Sequence, residues 1–578
     1  MGRVKHGRLT RAVRTSGRAL VPVHLRAWSR RLGGLSRTGL AVAGLWFAAA
    51  NTPSLLPRPW WLQGLIAAIC AILGYATGHA IGAAGRAVAA WAELRVSMNP
   101  RRARLLTELT LAAMLLFALA FPFLTIRWQQ FVNRYVGHDP PGWEYPIGSM
   151  LVAIVTFVAA ISLWRLVADL LDWWLARTRS RVIRETTARV VASVLTLATV
   201  AGVLTWVARP LVLAGVEGQA DRVNRTTPVG HQAPSSPLRS GGPGSPRSWE
   251  SLGQDGAIFV SSGPDAAAIE AATERPASEP IRVFAGVADS LEASRDAVLA
   301  ELDRTGAWQR RSLLLVTPTS TGYVNTWGAA AFEYLQDGDT AVAGFAYSDL
   351  PSAFGLLTGR DQPPRAARML LDAVRTRLAA MPASARPKLY VTGESLGAYG
   401  GDGAFSSPEQ MLAQVDGAVW SGTPTFAPNR AALTDRRTPG STMVVPVLDD
   451  GRHIRFAGRP EQLDADEYGR PLGTWAFPRV VYLQHASDPV AWWSPDLMWT
   501  APAWLQETRR DTPMAQMSWT PQVTFWQITA DMLVSNNVPG GFGHRYYGGE
   551  MVPAWSAVLG VTGRTPGQLE RIADAVGR

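Results

Sequence analysis

Three residue types that together perform acyl-transfer chemistry occur in one order along the chain: a serine on a tight turn, then an aspartate, then a histidine. Ser395 lies in Gly393-Glu394-Ser395-Leu396-Gly397, directly after the apolar run 388–392 and before the small residues Ala398, Gly400 and Gly401. A serine displayed above the end of a strand needs a turn so tight that its flanking residues lack bulk, which Gly393 and Gly397 provide. Further on, Val480-Val481-Tyr482-Leu483-Gln484-His485-Ala486-Ser487 ends in Asp488-Pro489, an aspartate at a strand end followed by a proline that turns the chain. Gly540-Gly541-Phe542-Gly543-His544 then puts a histidine in a glycine-rich loop. The pattern predicts Ser395 as nucleophile, His544 as its general base and Asp488 as the carboxylate that orients the imidazole.

Taken singly, Asp488 and His544 read as turn or surface groups; their order after Ser395 makes them a triad. The rivals are few: His453 ahead of the acid's strand, His485 on it, Asp449 and Asp450 in an Asp-Asp-Gly turn, and Asp496 among tryptophans. An oxyanion would take the backbone N–H of Leu396 and a second one from the loop 317–322, where Thr321 is chosen by position. Trp492, Trp493, Trp499, Trp504, Trp519 and Trp526 between acid and histidine can fill a core, line an apolar acyl pocket or face a membrane interface.

A parallel sheet is the frame that positions such groups. Apolar runs at Ile281–Ala285, Ser312–Thr317, 340–347, 388–392, Gly417–Ser421 and 480–484 read as strands, and 364–381 as a helix. Strands alternating with helices predict a mostly parallel sheet covered on both faces across 257–578.

The first 215 residues differ in kind. Five apolar segments, 39–56, 61–84, 106–126, 147–171 and 190–213, are long enough for helices across a hydrocarbon layer of about 30 Å. They predict an all-α transmembrane bundle of about five helices over 39–215. Asn51 and Pro53 interrupt the first segment, which is expected to pair with the second across Pro57-Arg58-Pro59. The net charge of +11 is carried by arginine, since Lys5 and Lys388 are the only lysines. The arginines crowd the leader 1–38 and the loops after the second and fourth segments, and are sparse in the other two loops. That is a membrane-topology pattern more than a nucleic-acid footprint, so no nucleic-acid partner is expected. It makes the leader cytoplasmic and, after five crossings, the C-terminal half extracytoplasmic. Residues 216–256, rich in Pro, Ser, Gly and Arg without periodicity, read as a flexible linker or partly ordered arm. With Cys70 the single cysteine, a disulfide within the chain and a cysteine-ligated metal site are excluded.

This architecture, the Gly393-Glu-Ser-Leu-Gly397 turn, His485-Ala-Ser-Asp-Pro489 and Gly541-Phe-Gly-His544 resemble a bacterial family of membrane-bound α/β-hydrolases. Its members join an N-terminal multi-helix membrane domain to a C-terminal catalytic domain. The resemblance implies an α/β-hydrolase fold for 257–578 and a Ser-Asp-His hydrolase without metal or organic cofactor; it supplies no substrate and no oligomeric state. The expected function is a serine esterase or lipase-like enzyme of the cell membrane, among membrane lipids, acting on a hydrophobic ester or other acyl substrate. An acyltransferase using the same acyl-enzyme and a non-catalytic membrane scaffold with this fold are the alternatives.

Overall fold

The computed structural model describes residues 35–93, 99–179, 185–208, 227–349, 359–507 and 512–577. Most of the expected leader and residues 216–226 of the expected linker lie outside them. Among the described residues of the N-terminal half the α-helices are α1 (Arg37–Ala50), α2 (Trp60–Trp91), α3 (Pro100–Leu124), α4 (Ile126–Tyr135), α5 (Glu144–Thr178) and α6 (Glu185–Val203). Among the described residues four stretches are long and apolar enough to cross a membrane: Trp60–Trp91, Glu108–Tyr135, Glu144–Thr178 and Glu185–Val207.

The first expected segment is not among them, so four of the five expected spans are found among the described residues. Helix α1 has 14 residues, which rise about 21 Å, short of a hydrocarbon layer. It stops where Asn51 folds its side chain back onto the Phe47 carbonyl at 2.8 Å and Pro53 follows. The expected pairing with α2 is observed: a Cβ on Gly78 of α2 would fall 2.4 Å from the Thr38 carbonyl, so only glycine allows α1 this close. Gly64, near the start of α2, touches Ser149 near the start of α5. Both helices therefore begin at one end of the bundle. The ends of α2 at Trp91 and of α5 at Thr178 therefore lie toward the other.

The C-terminal half is built on seven strands: β1 (Ile281–Ala285), β2 (Ser312–Thr317), β3 (Thr340–Phe345), β4 (Lys388–Glu394), β5 (Gly417–Ser421), β6 (Ile454–Ala457) and β7 (Arg479–Leu483). They lie side by side in the order β1-β3-β2-β4-β5-β7-β6, every pairing parallel. The side-chain period of two sorts each strand between two cores. Leu313 and Leu315 of β2, Ala418 and Trp420 of β5 and Val480 and Tyr482 of β7 face α7 (Leu291–Arg304) and α9 (Gln362–Ala379). Leu314, Val316, Val419, Val481 and Leu483 face the opposite side, with α8 (Thr326–Leu335) and a late helix at Gly548–Leu559. Strand β6 escaped the sequence reading because it is four residues long and carries Arg455, whose guanidinium donates to the Gly451 and Gly473 carbonyls.

Part of the expected linker is ordered. Ser240 donates its N–H to the Arg282 carbonyl and Leu238 accepts from Arg282, so this stretch runs beside β1. The Arg239 guanidinium donates to the Val260, Gly263 and Pro264 carbonyls. Polar side chains bonding to backbone thus replace the periodic apolar contacts that the composition lacks.

A third core joins the two halves. It contains Leu55, Leu56, Leu62 and Ile66 together with Trp492, Trp504, Phe525 and Ile528.

Candidate active site

Strand β4 ends at Glu394 and α10 (Leu396–Asp402) begins one residue later. Ser395 makes the reversal with φ 58° and ψ −122°, a left-handed backbone that non-glycine residues seldom adopt. The flanking glycines are needed for space. A Cβ on Gly393 would lie 2.5 Å from the Gly397 carbonyl, and one on Gly397 would lie 2.2 Å from the Thr317 carbonyl at the end of β2. The Ser395 N–H donates to the Ser421 carbonyl at 2.9 Å, which ties the turn to the end of β5.

The structure brings Asp488 and His544 together. Asp488 follows β7, and its fully buried carboxylate accepts four hydrogen bonds. Oδ1 takes the N–H groups of Val490 and Ala491; Oδ2 takes His544 Nδ1 at 2.8 Å and the Tyr546 hydroxyl at 2.7 Å. An ionised carboxylate only accepts, so Nδ1 carries the hydrogen and Nε2 is the ring's basic position. Burial alone would raise the Asp488 carboxyl, but the charge and hydrogen bond of His544, with the Tyr546 hydroxyl, hold it below the usual carboxylate range. Burial would lower the imidazole; the charge and hydrogen bond of Asp488 outweigh it and lift His544 above the ordinary histidine value.

His544 and Ser395 meet on one peptide. Gly422, directly after the Ser421 that holds Ser395, has φ +58°, and a Cβ there would fall 2.4 Å from His544 Cε1. The ring therefore lies against the residue next to the serine's anchor. Among the described residues nothing hydrogen-bonds His544 Nε2.

Two neighbours were not read from the sequence. Tyr546 is one. His544 and Tyr546 are two apart, the spacing that puts two side chains on one side of an extended segment. Glu394, between Gly393 and Ser395, is the other. The alternation of β4 turns it, with Tyr390, to the α8 side, where Asn325 donates to its carboxylate. Burial raises the Glu394 carboxyl to about 7, against the lowering effects of His544 and of the Asn325 hydrogen bond.

Leu396 opens α10, directly after the serine. Thr321 sits in a turn closed by the Gly322 N–H on the Thr319 carbonyl at 3.0 Å, and its hydroxyl donates to Asp255 at 2.7 Å. The same loop reaches the serine's helix at Thr317 and Pro318, against Gly397. Of the rivals, His453 bonds the Pro478 carbonyl, Asp449 and Asp450 form a left-handed turn, and Asp496 is exposed beside Ser494. His485, by contrast, is buried behind Asp488, and its carbonyl accepts the Asp488 N–H. The tryptophans divide: Trp492 and Trp504 fill the core shared with the N-terminal helices, while Trp499 is largely exposed.

The profile described as "Alpha/beta-hydrolase family" matches residues 281–572. The one described as "Alpha/beta-hydrolase family N-terminus" matches residues 52–264. No curated protein and no solved structure matches the chain.

Proposed function

The chain belongs to the Alpha/beta-hydrolase family, and on that premise we propose that it is a membrane-anchored serine hydrolase acting on a hydrophobic carboxylic ester at the outer face of the membrane. Ser395 Oγ attacks the acyl carbon while His544 Nε2 takes the hydroxyl proton. The bond to the alcohol breaks as His544 returns that proton to the leaving oxygen. Water then repeats the attack with the same base, freeing the acid and Ser395. Asp488 stays ionised throughout and holds Nδ1. The oxyanion is met by the Leu396 N–H and an N–H of the 317–322 loop, assigned to Thr321.

The observation that carries this reading is the 2.8 Å contact of His544 Nδ1 with buried Asp488, with Nε2 left open beside the peptide that anchors Ser395. Two features support the setting. The core shared by the tryptophan-rich segment and the membrane helices puts the site next to apolar surroundings. In the sequence, arginines crowd the leader and the segments that follow the second and fourth apolar runs and are sparse between the others, which favours an extracytoplasmic site.

Acid quenching during turnover of a chromogenic medium-chain ester tests the acyl-enzyme. The expected result is one acyl group on the peptide containing Ser395. An acyl group elsewhere, or turnover with no adduct and no dependence on Ser395, contradicts the proposal. Adding an alcohol acceptor separates hydrolysis from acyl transfer by the product formed.

A further inference from the structure

We propose that His485 and Glu550 form a buried imidazolium–carboxylate pair that positions the Asp488 carboxylate behind His544. This rests on the serine hydrolase reading above and adds two positioning residues to it.

His485 is 3% exposed and Glu550 4%. His485 Nδ1 lies 2.8 Å from the carbonyl oxygen of Gly543, which can only accept, so Nδ1 carries a hydrogen. His485 Nε2 lies 2.6 Å from Glu550 Oε1. A neutral imidazole with its hydrogen on Nδ1 and an ionised Glu550 would set two acceptors face to face at that distance, with the buried carboxylate charge uncompensated. One more proton must therefore lie between them.

Three features put it on the ring. Glu550 stands in the first turn of α11 (Gly548–Leu559), where backbone N–H groups favour an anion. The ring of Tyr546 stacks on His485 with centroids 4.2 Å apart and planes 13° apart, a face that favours a cation. The Asp488 carboxylate adds a second negative charge nearby. Burial opposes the charged ring, and Glu550 and Asp488 outweigh it, leaving His485 above the ordinary histidine value.

The pair reaches the reacting groups through short links. The Gly543 carbonyl that His485 bonds belongs to the residue before His544. The backbone N–H of His485 donates to the Tyr546 oxygen at 3.3 Å, and Tyr546 gives its own hydrogen to Asp488. The His485 carbonyl accepts from the Asp488 N–H and from Trp492 Nε1, fixing the turn that presents the acid. One ring thus braces both the loop carrying His544 and the turn carrying Asp488. The titratable and charged groups around His544 are Asp488, Glu394, His485 and Tyr546. Around His485 they are Glu550, Asp488 and Tyr546, and Arg430 lies near Tyr546 and Asp488. With the His485 cation removed, Asp488 and Glu394 act on His544 without that opposing charge.

The test uses the full-length protein in detergent or vesicles, as wild type, Glu550→Gln, Glu550→Asp and His485→Asn. Histidine ring ¹⁵N spectra read the pair without reference to catalysis. A ring protonated on both nitrogens at pH 8, absent in His485→Asn and lost in Glu550→Gln, is expected; a neutral His485 ring in wild type overturns the pair. The pH profile of ester kcat/KM reads the positioning. In Glu550→Gln the acidic limb is expected to move up by about one pH unit, with kcat falling and KM little changed, and Glu550→Asp is expected to restore the limb in part. A folded Glu550→Gln whose limb matches wild type overturns the positioning role. If the wild type forms no acyl-enzyme at all, the serine reading fails, and with it the positioning role; the spectra still decide the charge pair.

Discussion

Arg58 Nε and Asp531 Oδ1 stand 3.1 Å apart with both side chains fully buried, one from each half of the chain. The same carboxylate receives the backbone N–H groups of Leu55 and Leu56 and the Ser54 hydroxyl. Asp531 lies in the last turn of the helix Val523–Met532, and the Ser535 carbonyl just beyond it accepts the His544 N–H. Leu56 lies near Gly543, and Tyr135 meets Phe542 edge-on. The loop that carries His544 is therefore seated partly on the N-terminal half.

Removing one partner of that pair leaves a buried, unpaired charge. We expect Arg58→Ala to destabilise the junction by about 3–5 kcal/mol, and the Arg58→Ala/Asp531→Ala double variant to recover part of the loss. Thermal unfolding of the variants in one detergent measures this. Equal midpoints for wild type and Arg58→Ala would show the contact to be energetically idle.

Asp488→Asn changes the acceptor that fixes the His544 tautomer. An amide can offer Nδ1 a hydrogen where it needs a lone pair, so the ring turns its basic nitrogen the wrong way. We expect kcat to fall about 10⁴-fold, while the protein still folds. Steady-state kinetics with a folded variant decides, and a fall of less than tenfold would place the acid elsewhere.

Glu394 makes a prediction about stability and pH. Its carboxyl is raised to about 7 in the folded chain, against an ordinary 4.5. The folded state thus holds a proton that the unfolded state releases first. This contribution is fully present below pH 4.5 and lost as pH rises to about 7, a change of about 3 kcal/mol. Asp402, raised by burial to about 6, slopes the same way. The comparison with Glu394→Gln isolates the first group: between pH 5 and 8 the variant should lose less stability than wild type. Parallel curves would mean that Glu394 ionises normally.

The arginine pattern makes the orientation testable. Reporters fused after the last membrane helix should be active only outside the cytoplasm, and reporters placed in the turns after α2 or α5 only inside it. The reverse pattern would move the proposed site to the cytoplasmic face.

The strands, their alternation with helices and the turn at Ser395 were legible because each demands a local signature: an apolar run, a change of period, glycines where no Cβ fits. Asp488 could be read as following a strand. What was missed depends on partners distant in sequence. Glu394 is an ordinary glutamate until β4 turns it inward against Asn325, and Tyr546 is an ordinary tyrosine until β7 brings Asp488 to it. The first apolar segment is ambiguous for a related reason. Apolarity suits lipid or a protein core equally, and Leu55 and Leu56 go to the core shared with Trp492 and Phe525. The stretch 237–245 gave no periodic signal because Arg239, Ser240 and Ser245 order it through polar bonds.

Fluorophosphonate labelling of membranes carrying wild type, Ser395→Ala and His544→Ala tests the central claim most directly, because the probe reports an activated serine without a known substrate. We expect a labelled wild type whose modified residue is Ser395, no label in Ser395→Ala and strongly slowed labelling in His544→Ala. A folded wild type that takes no label, or one labelled equally with and without Ser395, would contradict it.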